Sequence, residues 1–238
     1  MLQWDIFLQD TGGGETYLQW LLTAWKWTMT VSFFAWIIAI VVGTIVGILR
    51  TLPNRFISFL GEAWSELFRN IPLLVQIFIW YHVVPTLFVS LRQVPSLALV
   101  VIGLGLFTSA RIADQVKAGL EALSKGQLQA GLALGMSRSQ TYRHILLPLA
   151  FRIIVPPLTS ESMSIIKNSS VAFAVGIGEL TMFALQAGEE TSRNIEIFLA
   201  TTFFYFISAY TVNHISIFLE KRLRLPGAIG TQIVGGVK

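Results

Sequence analysis

The chain has 238 residues, of which 54% are hydrophobic and only 13% charged, and its mean hydropathy is +0.67. Soluble domains carry about a quarter charged residues, so the composition excludes that class and indicates an integral membrane protein. The pI near 9.6 does not indicate a nucleic-acid partner, because the basic residues follow the connections of one side. With no cysteine, disulfides, thiolate metal sites and thiol nucleophiles are excluded as well.

The start, Met1–Trp20, contains Asp5, Asp10 and Glu15 and no Lys or Arg. A cleaved signal peptide has a basic start, so the first span is expected to be retained, and residues up to Thr16 have no reading beyond lying outside. Five segments of about 18 residues or more are apolar enough to cross a bilayer core of roughly 30 Å. The first is expected over Trp27–Leu49, free of charge, with Trp20, Trp25 and Trp27 in the interfacial belt and Lys26 snorkelling outward. Gly43 and Gly47 form a Gly-x-x-x-Gly face for close packing, on a helix of this chain or of a partner. Over Pro53–Arg69, Phe56, Phe59, Leu60, Ala63, Trp64, Leu67 and Phe68 recur at helical spacing opposite Asn54, Ser58, Glu62, Ser65 and Glu66. That pattern predicts an amphipathic helix, at the inner surface or packed on the bundle. The second span is expected over Asn70–Leu91, with Pro72 and Pro85, and the third over Pro95–Ala110. The fourth, Ile153–Gly178, carries Glu161 and Lys167; the fifth is expected over Ile197–Leu219.

One set of connections holds Arg50, Arg55, Arg69, Arg111, Lys117, Lys125, Arg138, Arg143, Arg152, Lys221, Arg222, Arg224 and Lys238; the other holds Arg92 and Arg193. The positive-inside rule therefore expects the N-terminus outside, the C-terminus inside and the segment 111–152 in the cytoplasm. Glu179, Glu189, Glu190 and Glu196 then lie in or beside the outer connection before the fifth span, where they are expected as solvated loop charge. His82, His144 and His214 have no metal-ligand spacing and read as interfacial polar groups.

The segment 111–152 holds the most informative pattern. Gln127–Leu134 is built from Leu, Ala, Gln and Gly, with Ala130, Gly131 and Ala133 keeping one side thin. Gly135 is placed to end that helix in a left-handed cap. Ser137, with Gln140 three residues on, predicts a capping box for a second helix. Pro148 is expected to interrupt the helix leading into the fourth span. A thin helical hairpin projecting from a membrane protein suits a groove on another protein.

Gln129, Ala130, Gly131, Gly135, Ile145, Leu147 and Pro148 match the spacing of a cytoplasmic signature, and here the chain resembles the permease subunits of ATP-binding-cassette importers. That signature reads Glu-Ala-Ala, three residues, Gly, nine residues, Ile, one residue, Leu-Pro; this sequence has Gln for Glu and Gly for the second Ala. Glu66–Gln76, Arg111, Val116–Gly126 and Lys167-Asn168-Ser169-Ser170 resemble the polar amino acid branch. Ala35–Ala39, Gly47–Thr51, Pro53–Phe56, Val155–Pro157 with Thr159–Glu161, and Arg224–Gly227 are similar to the glutamate/aspartate permease subunits. The resemblance covers about Tyr17 to Gly230.

It implies an all-α membrane protein of the type I importer permease fold, a single transmembrane domain without covalent chemistry of its own, in the bacterial inner membrane. Its parts would be an outer segment 1–19, spans one to three within 20–110 including the amphipathic 53–69, the coupling segment 111–152, spans four and five within 153–219 and a cytoplasmic tail 220–238. The implied partners are a second permease subunit, two copies of an ABC ATPase and a periplasmic substrate-binding protein. ATP and Mg would sit on the ATPases, with no cofactor on this chain. Consistently, no Gly-Lys dipeptide occurs, so a phosphate-cradling P-loop is absent. The implied ATPase-docking residues are Gln129, Ala130, Gly131, Gly135, Met136, Ser137, Arg138 and Gln140. Intramembrane ionisable groups are functional candidates, so Glu161, Lys167, Asn168, Ser169 and Ser170 are the candidates for the substrate pathway. Glu161 and Lys167, six residues apart, face different sides of a helix. Lys167 is also expected in a structural role, capping carbonyls or bonding a partner, and Glu161 as a gate or dimer contact. Against the alternative of an ion-coupled secondary transporter stand the lack of an internal repeat, the odd span count and only two membrane-embedded charges.

Overall fold

In a computed structural model, residues 2–123 and 125–223 are described. The expected tail from Arg224 on, including Arg224–Gly227 and Lys238, lies outside them. Among the described residues the chain is helical throughout, the one β-bridge being Asp10 with Thr16.

Helix α1, Tyr17–Leu49, starts well before the expected Trp27. Thr16 and Gln19 form a capping box there, so the chain enters the helix where its polar lead ends. Helix α2, Arg55–Asn70, is capped by Asn54, whose side chain accepts the N–H groups of Phe56 and Ile57. It joins α3, Leu73–Leu87, through a bend of 103°. Helix α4, Ser96–Glu121, runs on through Arg111 and Lys117, so these two sit on an extension of the expected third span. After α5, Lys125–Ala133, comes α6, Arg138–Val175, which absorbs the fourth span. Then follow α7, Leu180–Thr191, and α8, Asn194–Leu223. Four of these helices, α1, α4, α6 and α8, are long and apolar enough to cross a membrane, and the bent pair α2–α3 adds a fifth candidate if it is counted as one broken span. By itself α3 is only about four turns long, shorter than the expected Asn70–Leu91.

Pro148 does not interrupt the helix. A π-helical turn, Tyr142–Leu146, precedes it, and α6 continues through Pro148, Pro156 and Pro157. Pro85 in α3 is handled in the same way, behind a π turn at Ile79–Val83. In both places the wide turn ends two residues before the proline. The wider turn relieves the ring's clash with the carbonyl four residues back and removes the need for its missing N–H. Gly176, with φ of +78°, closes α6.

Packing is tightest between α1 and α4. A Cβ on Gly43 would lie 2.7 Å from Ile112 Cβ, and one on Gly47 2.6 Å from Val116 Cβ. The Gly-x-x-x-Gly face therefore serves packing within this chain. Val31, Ala35 and Ala39 of α1, Leu104, Ile112 and Val116 of α4 and Ile154 and Ile165 of α6 are buried behind it. Phe33, Phe34, Val41, Ile45, Phe203 and Phe206 point outward, which suits lipid.

Helix α2 is oriented opposite to a soluble amphipathic helix. Its polar and small positions Gly61 and Ser65 are buried, while Phe56, Phe59, Leu60 and Leu67 are exposed. Of the two expectations for this helix, packing on the bundle is the one seen: it packs through its polar stripe and presents its apolar stripe to the surroundings.

Candidate functional site

The hairpin between α4 and the main body of α6 is closed by local hydrogen bonds. Gly135, with φ of +79°, is in the left-handed region. The N–H of Met136 donates to Gly131 at 3.1 Å and that of Gly135 to Leu132 at 3.0 Å, the paired bonds of a Schellman cap. Ser137 and Gln140 then form the expected capping box, Gln140 N–H to Ser137 Oγ at 3.2 Å and Ser137 N–H to Gln140 Oε1 at 2.8 Å. Gln129, Ala130, Gly135, Ser137, Arg138 and Gln140 are exposed, and Met136 is half-buried. Gly131 faces inward: a Cβ there would lie 2.5 Å from Thr141 Cγ2, and Thr141 is fully buried. The departure from Ala at this position thus has a physical cause, because Thr141 occupies the space. Leu134, 79% exposed, forms an apolar tip that the motif spacing did not single out. Tyr142 ties the base of the hairpin to the end of α1, its hydroxyl 3.3 Å from Thr51 Oγ1.

The pathway candidates are divided between two environments. Glu161 is buried on α6 and meets Arg111 of α4, with Nη2 donating to Oε1 at 3.0 Å and Nε 2.8 Å from Oε2. Gln115 Nε2 also donates to Oε1, at 3.2 Å. Lys167, on a different face, is exposed, and its ammonium has no hydrogen bond or ion pair within the described residues; the expected capping of carbonyls is not made. Asn168 and Ser170 are half-buried, while Ser169 is buried and donates to the carbonyl of Ile166 at 2.7 Å. Lys167–Ser170 falls where α6 tightens from α-helix to 3-10 geometry.

Sequence reasoning missed two polar centres. At the first, Arg50 reaches Glu62 at 2.8 Å through Nε and Asp114 at 2.5 Å through Nη1, and also donates to Ser65 at 2.9 Å. Lys117 reaches Glu62 at 3.3 Å, and Arg69 adds Asp114 at 3.0 Å and Glu66. This network holds α1, α2 and α4 together. The hydrogen bond from Arg50 holds the Glu62 carboxyl below the usual carboxylate range. At the second, Glu179 is fully buried, which corrects its expectation as solvated charge. It accepts the N–H groups of Thr181 and Met182 at the start of α7, and Tyr205 donates to it at 2.6 Å. Glu196 is also buried and accepts the N–H of Gln3 at 2.8 Å, while Glu190 reaches Tyr17 at 3.3 Å. Apart from the cap of Glu179 on Thr181 and Met182 and the pair Arg69–Glu66, these contacts join positions a dozen residues or more apart, and no local pattern announces them. Among the described residues no group of His, Asp and Glu could hold a metal ion.

Residues 39–225 match the family described as binding-protein-dependent transport system inner membrane component. The chain belongs to this family. It is thus an inner-membrane permease, a non-catalytic component of an amino acid importer that works with an ATPase and a substrate-binding protein. The permease is 41% identical to the glutamate/aspartate import permease protein GltJ of Escherichia coli strain K12, over 95% of this chain and 97% of that one. It is 31% identical to the glutamine transport system permease protein GlnP of the same strain, over 86% and 93%. Its fold matches the crystal structure of an amino acid ABC transporter with histidines, with a TM-score of 0.74 and 25% identity over 87% of this chain and 95% of that one.

Proposed function

We propose that this permease forms half of the translocation pathway of a glutamate/aspartate importer, pairing with a second, homologous permease subunit above two copies of an ATPase. A periplasmic binding protein delivers substrate at the outer side, where the N-terminus lies, and ATP and Mg act on the ATPases. The hairpin is the coupling element: Gln129, Ala130, Gly131, Gly135, Met136, Ser137, Arg138 and Gln140 form the docking surface. The observation that carries this reading is the exposed, doubly capped tip from Leu132 to Gln140 at the arginine-rich end. Its two helices are fixed to each other at Gly131 and Thr141, so a push on the tip moves α6 as a body. Closure of the ATPases then biases a two-state permease between inward-open and outward-open. Lys167, Asn168 and Ser170, on the accessible face of α6, are proposed to meet the pathway or the second subunit, and Glu161 to act near its inner mouth. The acidic substrate is supported by the name of the Escherichia coli relative.

The test is co-purification in detergent with the importer's ATPase, followed by ATP turnover with binding protein and glutamate. Native protein is expected to show stimulated turnover, and Gly135→Trp to lose the ATPase, because a bulky side chain at positive φ distorts the cap. Association without any stimulation by acidic amino acids would discard the substrate, and full association of the Trp variant would discard the docking surface.

A further inference from the structure

Arg69, Phe107, Arg111, Asp114, Gln115 and Glu161 line a cavity of about 330 Å³ between α4, α6 and the end of α2. Phe107, Arg111 and Gln115 follow one another at four-residue intervals on α4, so they share one face of that helix. The cavity holds two guanidinium groups and two carboxylates, and its hydrogen bonding is incomplete. Glu161 Oε2 lies 2.8 Å from Arg111 Nε but out of line for a hydrogen bond. Gln115 Oε1 is buried without a donor. The side chain of Arg111 is 45% exposed, whereas that of Glu161 is 7% exposed.

Resting on the acidic-substrate reading above, we propose that this cavity is a subsite for the transported acidic amino acid, in which Arg111 exchanges Glu161 for a substrate carboxylate. The exchange replaces one carboxylate by another on the same guanidinium, so the charge-assisted pairing is conserved while substrate enters. The ammonium of the amino acid supplies a donor for Gln115 Oε1 and a cation beside the released Glu161. The second substrate carboxylate has Arg69 opposite, which is half-exposed. A neutral or cationic amino acid brings only its α-carboxylate, so one of the two guanidinium groups, Arg111 or Arg69, is left without a substrate anion, and a site built for two carboxylates rejects a ligand that lacks one. Arg111 is thus a specificity-determining residue, and Glu161 its stand-in anion when substrate is absent.

The rival is a brace between α4 and α6 with no substrate contact, and charge-neutral and charge-swapped variants separate the two. The complete importer with its binding protein and ATPase is reconstituted in vesicles, and radiolabelled glutamate taken up per ATP hydrolysed is measured. In Arg111→Gln with Glu161→Gln, both charges go and no buried charge is orphaned. Glutamate uptake per ATP hydrolysed is expected to fall about tenfold or more, the worth of one charge-assisted pair. The swap Arg111→Glu with Glu161→Arg keeps a brace but moves the guanidinium to α6, and it is expected to lose uptake as well. Arg111→Lys keeps the charge and the assembly but not the two-pronged pairing, and is expected to raise the apparent KM for glutamate. Native-like uptake by the neutral pair or by the swap, or an unchanged KM in Arg111→Lys, overturns the subsite and leaves the importer function standing. A native importer that moves no acidic amino acid overturns the substrate reading itself, a result visible before any variant is made.

Discussion

Tyr205 donates its hydroxyl to Glu179 at 2.6 Å, joining α8 to the start of α7. Glu179 is fully enclosed and also caps the first two free N–H groups of α7. Removing the carboxylate leaves those two N–H donors without an acceptor, at about 1–3 kcal/mol for each buried group, and leaves the tyrosine hydroxyl only Thr181 Oγ1, 3.0 Å away. Glu179→Ala is therefore expected to lower the melting temperature in detergent by several degrees. Tyr205→Phe, which removes its bonds to Glu179 and Thr181 but leaves the N–H caps in place, is expected to cost about 1 kcal/mol. Equal melting temperatures for native and Glu179→Ala protein would show that the cap contributes nothing.

The pairing of Arg50 with Glu62 has a pH signature. The folded carboxyl titrates below its unfolded value, so the contribution of the pair is complete above the unfolded value of about 4.3 and is lost as pH falls through the depressed folded value. Between about pH 5 and about pH 3 the native protein is expected to lose melting temperature more steeply than Glu62→Gln. Thermal unfolding across that range checks it, and parallel curves would refute the assignment.

Gly131→Ala places a methyl 2.5 Å from Thr141 Cγ2 and 2.8 Å from its hydroxyl oxygen. Such overpacking costs about 1–3 kcal/mol and shifts the two hairpin helices apart. Weaker retention of the ATPase during purification is expected, with recovery in Gly131→Ala combined with Thr141→Ala. If the single variant retains the ATPase like native protein, the crossing at Gly131 is not what shapes the docking surface.

The helix α1 to α4 contact offers a stability comparison. Gly47→Leu must fit a branched chain where even a Cβ would lie 2.6 Å from Val116 Cβ. It is expected to abolish folded protein, whereas Ile45→Ala, on the outward face, is expected to change the melting temperature by no more than a few degrees. Size-exclusion profiles of the two variants, compared side by side, decide it.

What the residues determined by themselves is local. The apolar runs foretold the four long spanning helices because a bilayer demands long apolar helices, and Gly135 and the Ser137–Gln140 box were legible because a cap is closed within a few residues. Pro148 misled for the same reason: its local effect was foreseen as a break, while a π turn ending two residues upstream absorbs it. Tertiary structure decided the rest. Whether Gly43 and Gly47 meet their own chain or another depends on where α4 lies, and α4 packs on them. The polar stripe of α2 turns inward because Arg50 and Asp114 wait there and the apolar surroundings accept its phenylalanines. Arg111 with Glu161, and Glu179 with Tyr205, are pairs brought together only by the fold. Glu161 and Glu179 are buried from water and so take their partners within the protein, and a partner distant in sequence leaves no periodic mark along the chain.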